Sequence, residues 1–457
     1  MIFLIYSSKT IVLNIYVMAL ILMLQVEKIM WRLILILLVI QAKGTECSSH
    51  GLWRAVNPEV HLDVVRIIQF WSYPVEDHEV VTEDSYILTL NRIPYGRTVN
   101  KVSGRQPVVF LQHGLLSSPV SWISNLPNNS LAFILADAGF DVWMGNSRGS
   151  TYSLKHATLS TNSTEYWAFS FDEMARYDLP ASIDYIVKKT GQKIYYVGHS
   201  QGTLIGFLAF STLPKLAQKV KAFYALAPIF YVQHIQSVPF QVLFQISPKL
   251  LKYVLGDKDF LPETELNRLL ATKVCNNEII GFICGKVIFS LFGCEPQNLN
   301  MSRIDVYVAH NPAGTSVQNI LHYIQPLLDS MSSPYDHQAI CPLCMYPVLY
   351  GMSKGMHEIQ KILRAYDWGS PRKNMEHYNQ PTPPTYSPST MRVPTAIWSG
   401  QKDLLADPVD VFNLLPQICN LIYYKNLPKY SHLDFIWGNN VQNDIYDEIV
   451  KMISKTL

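Results

Sequence analysis

From about residue 105 onward, short runs of β-branched and aromatic residues alternate with longer stretches whose apolar positions recur at helical spacing. "QPVVFLQHG" (106–114) has the continuous apolar run of a strand buried on both faces. "SLAFILADAG" (130–139) has the period of a helix stopped at Gly139. "FDVWMG" (140–145), "KIYYVG" (193–198) and "VKAFYALAP" (220–228) predict further strands. Between them, "LPASIDYIVKKTG" (179–191) and "TLIGFLAFSTL" (203–213) predict helices. Two last strands, "VPTAIWSG" (393–400) and "NLIYYKNLP" (420–428), precede a helix over 441–454. Strands alternating with helices imply an α/β fold, a mainly parallel sheet covered on both faces.

The rhythm breaks between 231 and 389. That stretch holds helical patches such as "FLPETELNRLLATKVC" (260–275) and ends in the proline-rich "NQPTPPTYSPS" (379–389). An insertion between two sheet strands reads as a helical cap over their C-terminal edge, where open α/β sheets bind ligands. The chain thus divides into a core over 45–230 and 390–457, with a cap over 231–389. At the start of the cap, "IFYVQHIQSVPFQVLFQI" (229–246) is unusually apolar for a surface segment. It fits the underside of a lid and ordinary cap core equally well.

Residues 1–44 follow a different logic. One apolar run spans 11–24, and a second, "LILILLVI" (33–40), has the length of a signal-peptide core. Arg32 precedes it, and Ala42 and Gly44 supply small residues for cleavage. Met30 offers a second start that would leave 1–29 as an upstream extension. Each run falls short of the roughly 20 apolar residues that span a bilayer. A cleaved signal is therefore expected, with a membrane anchor built from both runs as the alternative.

Secretory entry gives meaning to the cysteines. There are seven, an odd number, so at least one stays unpaired within a monomer. Sequons at Asn128, Asn162 and Asn300 fit the same compartment. With 49% hydrophobic and 16% charged residues, the chain can bury a sizeable core. A net charge of +2 without a long basic run argues against a nucleic-acid partner, and no obligate protein partner is evident.

Two pentapeptides, "GNSRG" (145–149) and "GHSQG" (198–202), share the Gly-x-Ser-x-Gly pattern of a nucleophile on a strand-to-helix turn. Both follow a strand. Only "GHSQG" precedes a helix, because a polar stretch without helical period follows "GNSRG". Ser200 is thus the candidate nucleophile, and Ser147 closes a structural loop with Arg148 available to tie down nearby backbone. A serine hydroxyl needs a base, and the base needs an orienting carboxylate, in the chain order Ser, Asp, His. Asp403 and Asp407 follow the strand at 393–400, and His432 follows the strand at 420–428. Asp403 lies nearer its strand and is preferred as the orienter. Asp434 is assigned a structural role.

Long motifs then carry a resemblance. "VVFLQHGLL", "DVWMGNSRGS", "YYVGHSQGT", "HNPAGTSVQNILH", "AYDWGSP" and "HLDFIWG" resemble the acid lipase family, from about Asn57 to the C-terminus. The resemblance implies an α/β-hydrolase fold with a cap and lid. It implies a triad of Ser200, Asp403 and His432, with oxyanion donors at the Leu115 and Gln201 amides. It also implies a Cys275–Cys284 disulfide in the cap and glycosylation at Asn128 and Asn300. The expected activity is hydrolysis of triacylglycerols or cholesteryl esters at a lipid–water interface, at acidic pH, in a secreted or lysosomal protein. No metal or diffusible cofactor is called for. The alternatives are a carboxylesterase for small soluble esters and a catalytically silent lipid-binding homologue.

Two departures stand out. Ser85 replaces the glycine expected in a hairpin turn, and residues 326–360 have no counterpart in the family pattern. The second includes "CPLC" (341–344), which with His337 and His357 makes a nominal four-ligand set whose spacing matches no standard zinc site. A flexible cap insertion is the better reading.

Overall fold

The computed structural model describes residues 54–97, 105–277, 296–328 and 363–456, with 280, 281, 284, 285 and 293 between them. The expected signal segment, the "CPLC" motif with its two histidines, and nearly all of the 326–360 insertion lie outside the described residues.

One twisted sheet organises the rest. Its strands are β1 (Glu76–Val81), β2 (Tyr86–Ile93), β3 (Val108–Gln112), β4 (Asp141–Gly145), the two-residue β5 (Lys155–His156), β6 (Ile194–His199) and β7 (Val220–Leu226). The cap contributes the short pair β8 (Asp259–Phe260) and β9 (Thr315–Ser316), and β10 (Thr395–Gly400) and β11 (Leu421–Leu427) complete the sheet. The order is β1-β2-β4-β3-β6-β7-β10-β11, with β5 on β2. From β4 to β11 every pairing is parallel. The β1–β2 hairpin joins β4 antiparallel. That hairpin extends the sheet beyond the strands read from the sequence, since β1 "EDHEVV" is too polar to announce itself.

Burial follows from this layering. β3, β4, β6 and β10 are buried at every position, as strands covered on both faces must be, whereas β11 alternates because it is an edge. β7 and β10 are adjacent and parallel, Phe223 opposite Thr395. Everything between them in sequence is therefore inserted between neighbouring strands.

Several cap details differ from expectation. The patch at 260–275 is helical only from Glu265; Phe260 pairs in β8 and Pro262 separates the two. The apolar run at 229–246 splits in two. Ile229–Val232 and Ile235 are buried in the main core, while the helix Val238–Gln245 lies near the surface with Val238 65% exposed. The 326–360 insertion leaves from the end of the helix Val317–Leu328. On its return the chain is tied to the same helix: His322 donates to the Arg364 carbonyl at 2.9 Å, and Gln325 exchanges two 2.8 Å hydrogen bonds with Asp367. The flanks of the insertion are thus held together.

Candidate active site

The parallel strands deliver their chemistry at one edge. β6 ends at His199, and Ser200 follows with φ 54° and ψ −122° before the helix Gln201–Thr212 begins. A non-glycine residue with this backbone is strained, and neighbours must hold it. The turn closes only with glycines around it. A Cβ on Gly198 would lie 2.8 Å from the Gly202 backbone, and one on Gly202 would lie 2.3 Å from the Gln112 carbonyl oxygen. Gly206 lets the helix press on Tyr196 and Phe223.

The loops after β10 and β11 meet this serine. His432 Nε2 lies 2.7 Å from Ser200 Oγ, and its Nδ1 lies 2.9 and 3.0 Å from the two Asp403 oxygens. Asp403 Oδ1 also accepts the Leu405 and Ala406 amides at 2.9 and 2.8 Å. An ionised carboxylate so placed fixes Nδ1 as the protonated nitrogen and leaves Nε2 free to accept the serine proton. All three residues are buried.

The rejected candidates have other partners. Asp407 caps the helix Pro408–Leu414 by accepting the Val409 amide, and it also accepts from Gln236. Asp434 accepts from Ser431 and Asn298. Ser147 is not joined to the triad: its Oγ accepts from Gln112 Nε2 at 3.0 Å. Arg148 binds carboxylates rather than backbone. Its buried guanidinium pairs with Asp84 and Asp178 and lies 3.9 Å over the Tyr86 ring.

The loop expected to supply an oxyanion donor follows β3. Gly114, the residue before Leu115, passes so close to Ser200 that a Cβ on it would sit 2.9 Å from Ser200 Cβ. Among the described residues, neither the Leu115 nor the Gln201 amide donates to a protein acceptor. Two buried histidines line this region. Burial pushes His113 down to about 4, and burial, with His432 adding, pushes His199 down to about 3. His113 donates Nδ1–H to the Gly114 carbonyl and accepts the Ser147 amide; His199 donates to the His432 carbonyl.

Elsewhere, Cys275 and Cys284 are joined by a disulfide. Asn128 and Asn162 are exposed, and Asn300 is half-buried with its side chain bonded to Ser302 of its own sequon. Sequence reasoning missed two residues that touch the Gln201 side chain, Asn319 and Tyr323. Asn319, wholly buried, donates to the Gln201 side chain from 118 positions away. The described residues contain no cluster of metal-ligating side chains and no helix long and apolar enough to cross a membrane.

Comparison with known proteins agrees with this architecture. The family described as "alpha/beta hydrolase fold" matches residues 107–439, and that described as "Partial alpha/beta-hydrolase lipase region" matches residues 64–126. The chain is 49% identical to human gastric triacylglycerol lipase over 427 residues, covering 93% of this chain and 99% of that protein. It is 50% identical to human lipase member K, covering 88% and 93% respectively. It is also 50% identical to the lysosomal acid lipase/cholesteryl ester hydrolase of Macaca fascicularis, covering 89% and 94%.

Proposed function

Because the chain belongs to the acid lipase family of α/β-hydrolases, we propose that Ser200, His432 and Asp403 form the triad with which it cleaves neutral-lipid esters. The protein is a serine hydrolase of carboxylic esters, a lipase. The observation that carries the residue assignment is the unbroken chain from Ser200 Oγ through His432 to Asp403, at 2.7 and 2.9 Å.

The chemistry follows from that chain. Ser200 Oγ attacks the ester carbonyl as its proton passes to His432 Nε2. Asp403, bonded to Nδ1–H, stabilises the imidazolium. The Leu115 and Gln201 amides donate to the tetrahedral oxyanion; one such donor is worth roughly 3–4 kcal/mol of barrier. Collapse expels the alcohol, which takes the proton from His432 and leaves the acyl group on Ser200. Water then repeats the sequence and releases the fatty acid.

Acidic operation fits the surroundings of the triad. With His113 and His199 held neutral to about pH 4 and 3, no second cationic imidazole forms beside His432 at moderately acid pH. The lipid interface is read from the cap, where Val238, Tyr253, Leu266 and Leu269 stand exposed at 49–87%. A contiguous exposed apolar patch marks a contact surface, and these side chains are the members such a patch on the cap would have. The expected secretory signal at 1–44, the cap at 231–389 and glycans on Asn128, Asn162 and Asn300 belong to the same reading, which puts the protein in the secretory or lysosomal space.

The test compares emulsified long-chain with soluble short-chain esters across about pH 4–8, with Ser200→Ala alongside. Activity on the emulsion that vanishes in Ser200→Ala is expected. Retention of activity by Ser200→Ala would remove the triad. A preference for the soluble ester would replace a lipase with a carboxylesterase.

A further inference from the structure

Both proposed oxyanion donors are tied to one short piece of the cap. On one side, the Ala313 amide donates to the Leu116 carbonyl at 2.7 Å, and the Ala313 carbonyl accepts the Thr151 amide at 2.9 Å. Leu116 has φ 58°, so the turn that presents Leu115 is strained and is held from the cap. On the other side, the Gln201 side-chain oxygen accepts two hydrogen bonds, from Asn319 Nδ2 at 2.8 Å and from Tyr323 Oη at 3.0 Å. Asn319 is itself fixed, donating to Thr315 and accepting the Phe171 amide.

From this we infer that the cap segment 313–323 is a positioning element of the oxyanion hole, holding both proposed donors at once. Asn319 and Tyr323 act through Gln201, and Ala313 acts through Leu116. The inference rests on the proposed assignment of the Leu115 and Gln201 amides.

The physical reason is local. Gln201 is the first residue of the helix after the nucleophile, so clamping its side chain limits how far its amide shifts when the oxyanion forms. Preorganised donors stabilise charge only where they already point, and a misplacement of about 1 Å costs up to roughly a hundredfold in rate. None of the three cap residues touches the reacting atoms. They are positioning residues, and they act beside two core contacts, Gln201 Nε2 to Met174 Sδ at 3.5 Å and the Ser147 amide to His113 at 3.1 Å.

Tyr323→Phe removes one hydroxyl and leaves the ring. On a soluble p-nitrophenyl ester it should lower kcat roughly three- to tenfold with KM within about twofold, because the loss falls on the transition state. A trifluoromethyl ketone, whose hemiketal oxyanion occupies the same hole, should bind the variant weaker by the factor lost in kcat/KM. In a Gln201→Met background, Tyr323→Phe should have no further effect. The inference is overturned by unchanged kcat, by unchanged ketone affinity, or by effects that multiply across the two variants. The Tyr323→Phe comparison stands by itself should Gln201→Met fail to fold. Ser200→Ala, run in parallel, separates the two ideas. If it is inactive while Tyr323→Phe matches wild type, only the positioning role falls. If it is active, the site assignment falls.

Discussion

The Ser147 amide donates to His113 Nε2 across 3.1 Å, so the loop ending β4 fixes the loop that carries the Leu115 amide. The second Gly-x-Ser-x-Gly turn therefore supports, through its backbone, the loop proposed to supply an oxyanion donor. Its hydroxyl only accepts from Gln112.

Removing that hydroxyl should cost stability, not chemistry. Ser147→Ala leaves the amide in place and strands a buried Gln112 donor, worth about 1–2 kcal/mol. Thermal unfolding should detect that loss, while esterase activity stays within about threefold of wild type. A collapse of activity at unchanged stability would return Ser147 to the mechanism.

Arg148 is a different matter, because it is buried and charged. Asp178 sits almost buried against it, and Asp84 takes two more of its hydrogen bonds. Arg148→Ala would leave a buried carboxylate without its cation, at a cost of roughly 3–5 kcal/mol. Secretion yield and unfolding midpoint should both drop sharply. Arg148→Lys should recover only part of the loss, since a compact ammonium lacks the planar fork that grips both Asp84 oxygens while a third N–H reaches Asp178. Full tolerance of Arg148→Ala would mean the ion pairs contribute nothing.

The core strands and the residues proposed for the triad were legible because their signals are local. Strand runs and the glycines around Ser200 each lie within a few residues, and Ser200, Asp403 and His432 each follow a strand that can be read locally. Asp407 carried a readable clue as well, since an aspartate before Pro408 is a helix cap. What was not legible depends on distant contacts. Nothing near Asn319 announces Gln201, and nothing in "EDHEVV" announces a strand. The run at 229–246 could not be divided from composition, because its two halves differ only in what packs on them.

Ser85 tests the hairpin turn between β1 and β2. Its φ is 73°, a left-handed conformation that costs an L-residue about 1–2 kcal/mol. Ser85 makes backbone hydrogen bonds to Thr82 and Ala157 that glycine would keep. Ser85→Gly should therefore stabilise the fold by about 0.5–1 kcal/mol after the extra unfolded-state entropy of glycine is counted. Chemical unfolding measures this directly, and a destabilised variant would show that the serine side chain contributes more than its strain removes.

The last prediction concerns pH. Asp172 and Glu173 lie in the cluster that joins the core to residues 366 and 386. Burial pushes Asp172 up to about 7; burial, with the Asp172 charge adding, pushes Glu173 up to about 7. Asp172 accepts from the Tyr366 amide and the Tyr386 hydroxyl, and Glu173 accepts from Ser170. A carboxyl whose folded pKa is raised contributes stability fully present below its unfolded value of about 4, and that stability is lost as pH rises through about 7. His113, His199 and His322, pushed down by burial to about 4, 3 and 4, act in the opposite sense. Their contribution is present above about 6.5 and fades as pH falls through their folded values. The carboxyl effect is therefore isolated by difference. Asp172→Asn keeps the Tyr366 hydrogen bond and carries no charge at any pH. Its stability relative to wild type should rise by on the order of 2 kcal/mol between about pH 4.5 and 7.5. Unfolding midpoints of both proteins across that range measure it. A constant difference would mean that Asp172 is already ionised in the folded protein at acid pH, and that the pair does not favour the fold under acid conditions.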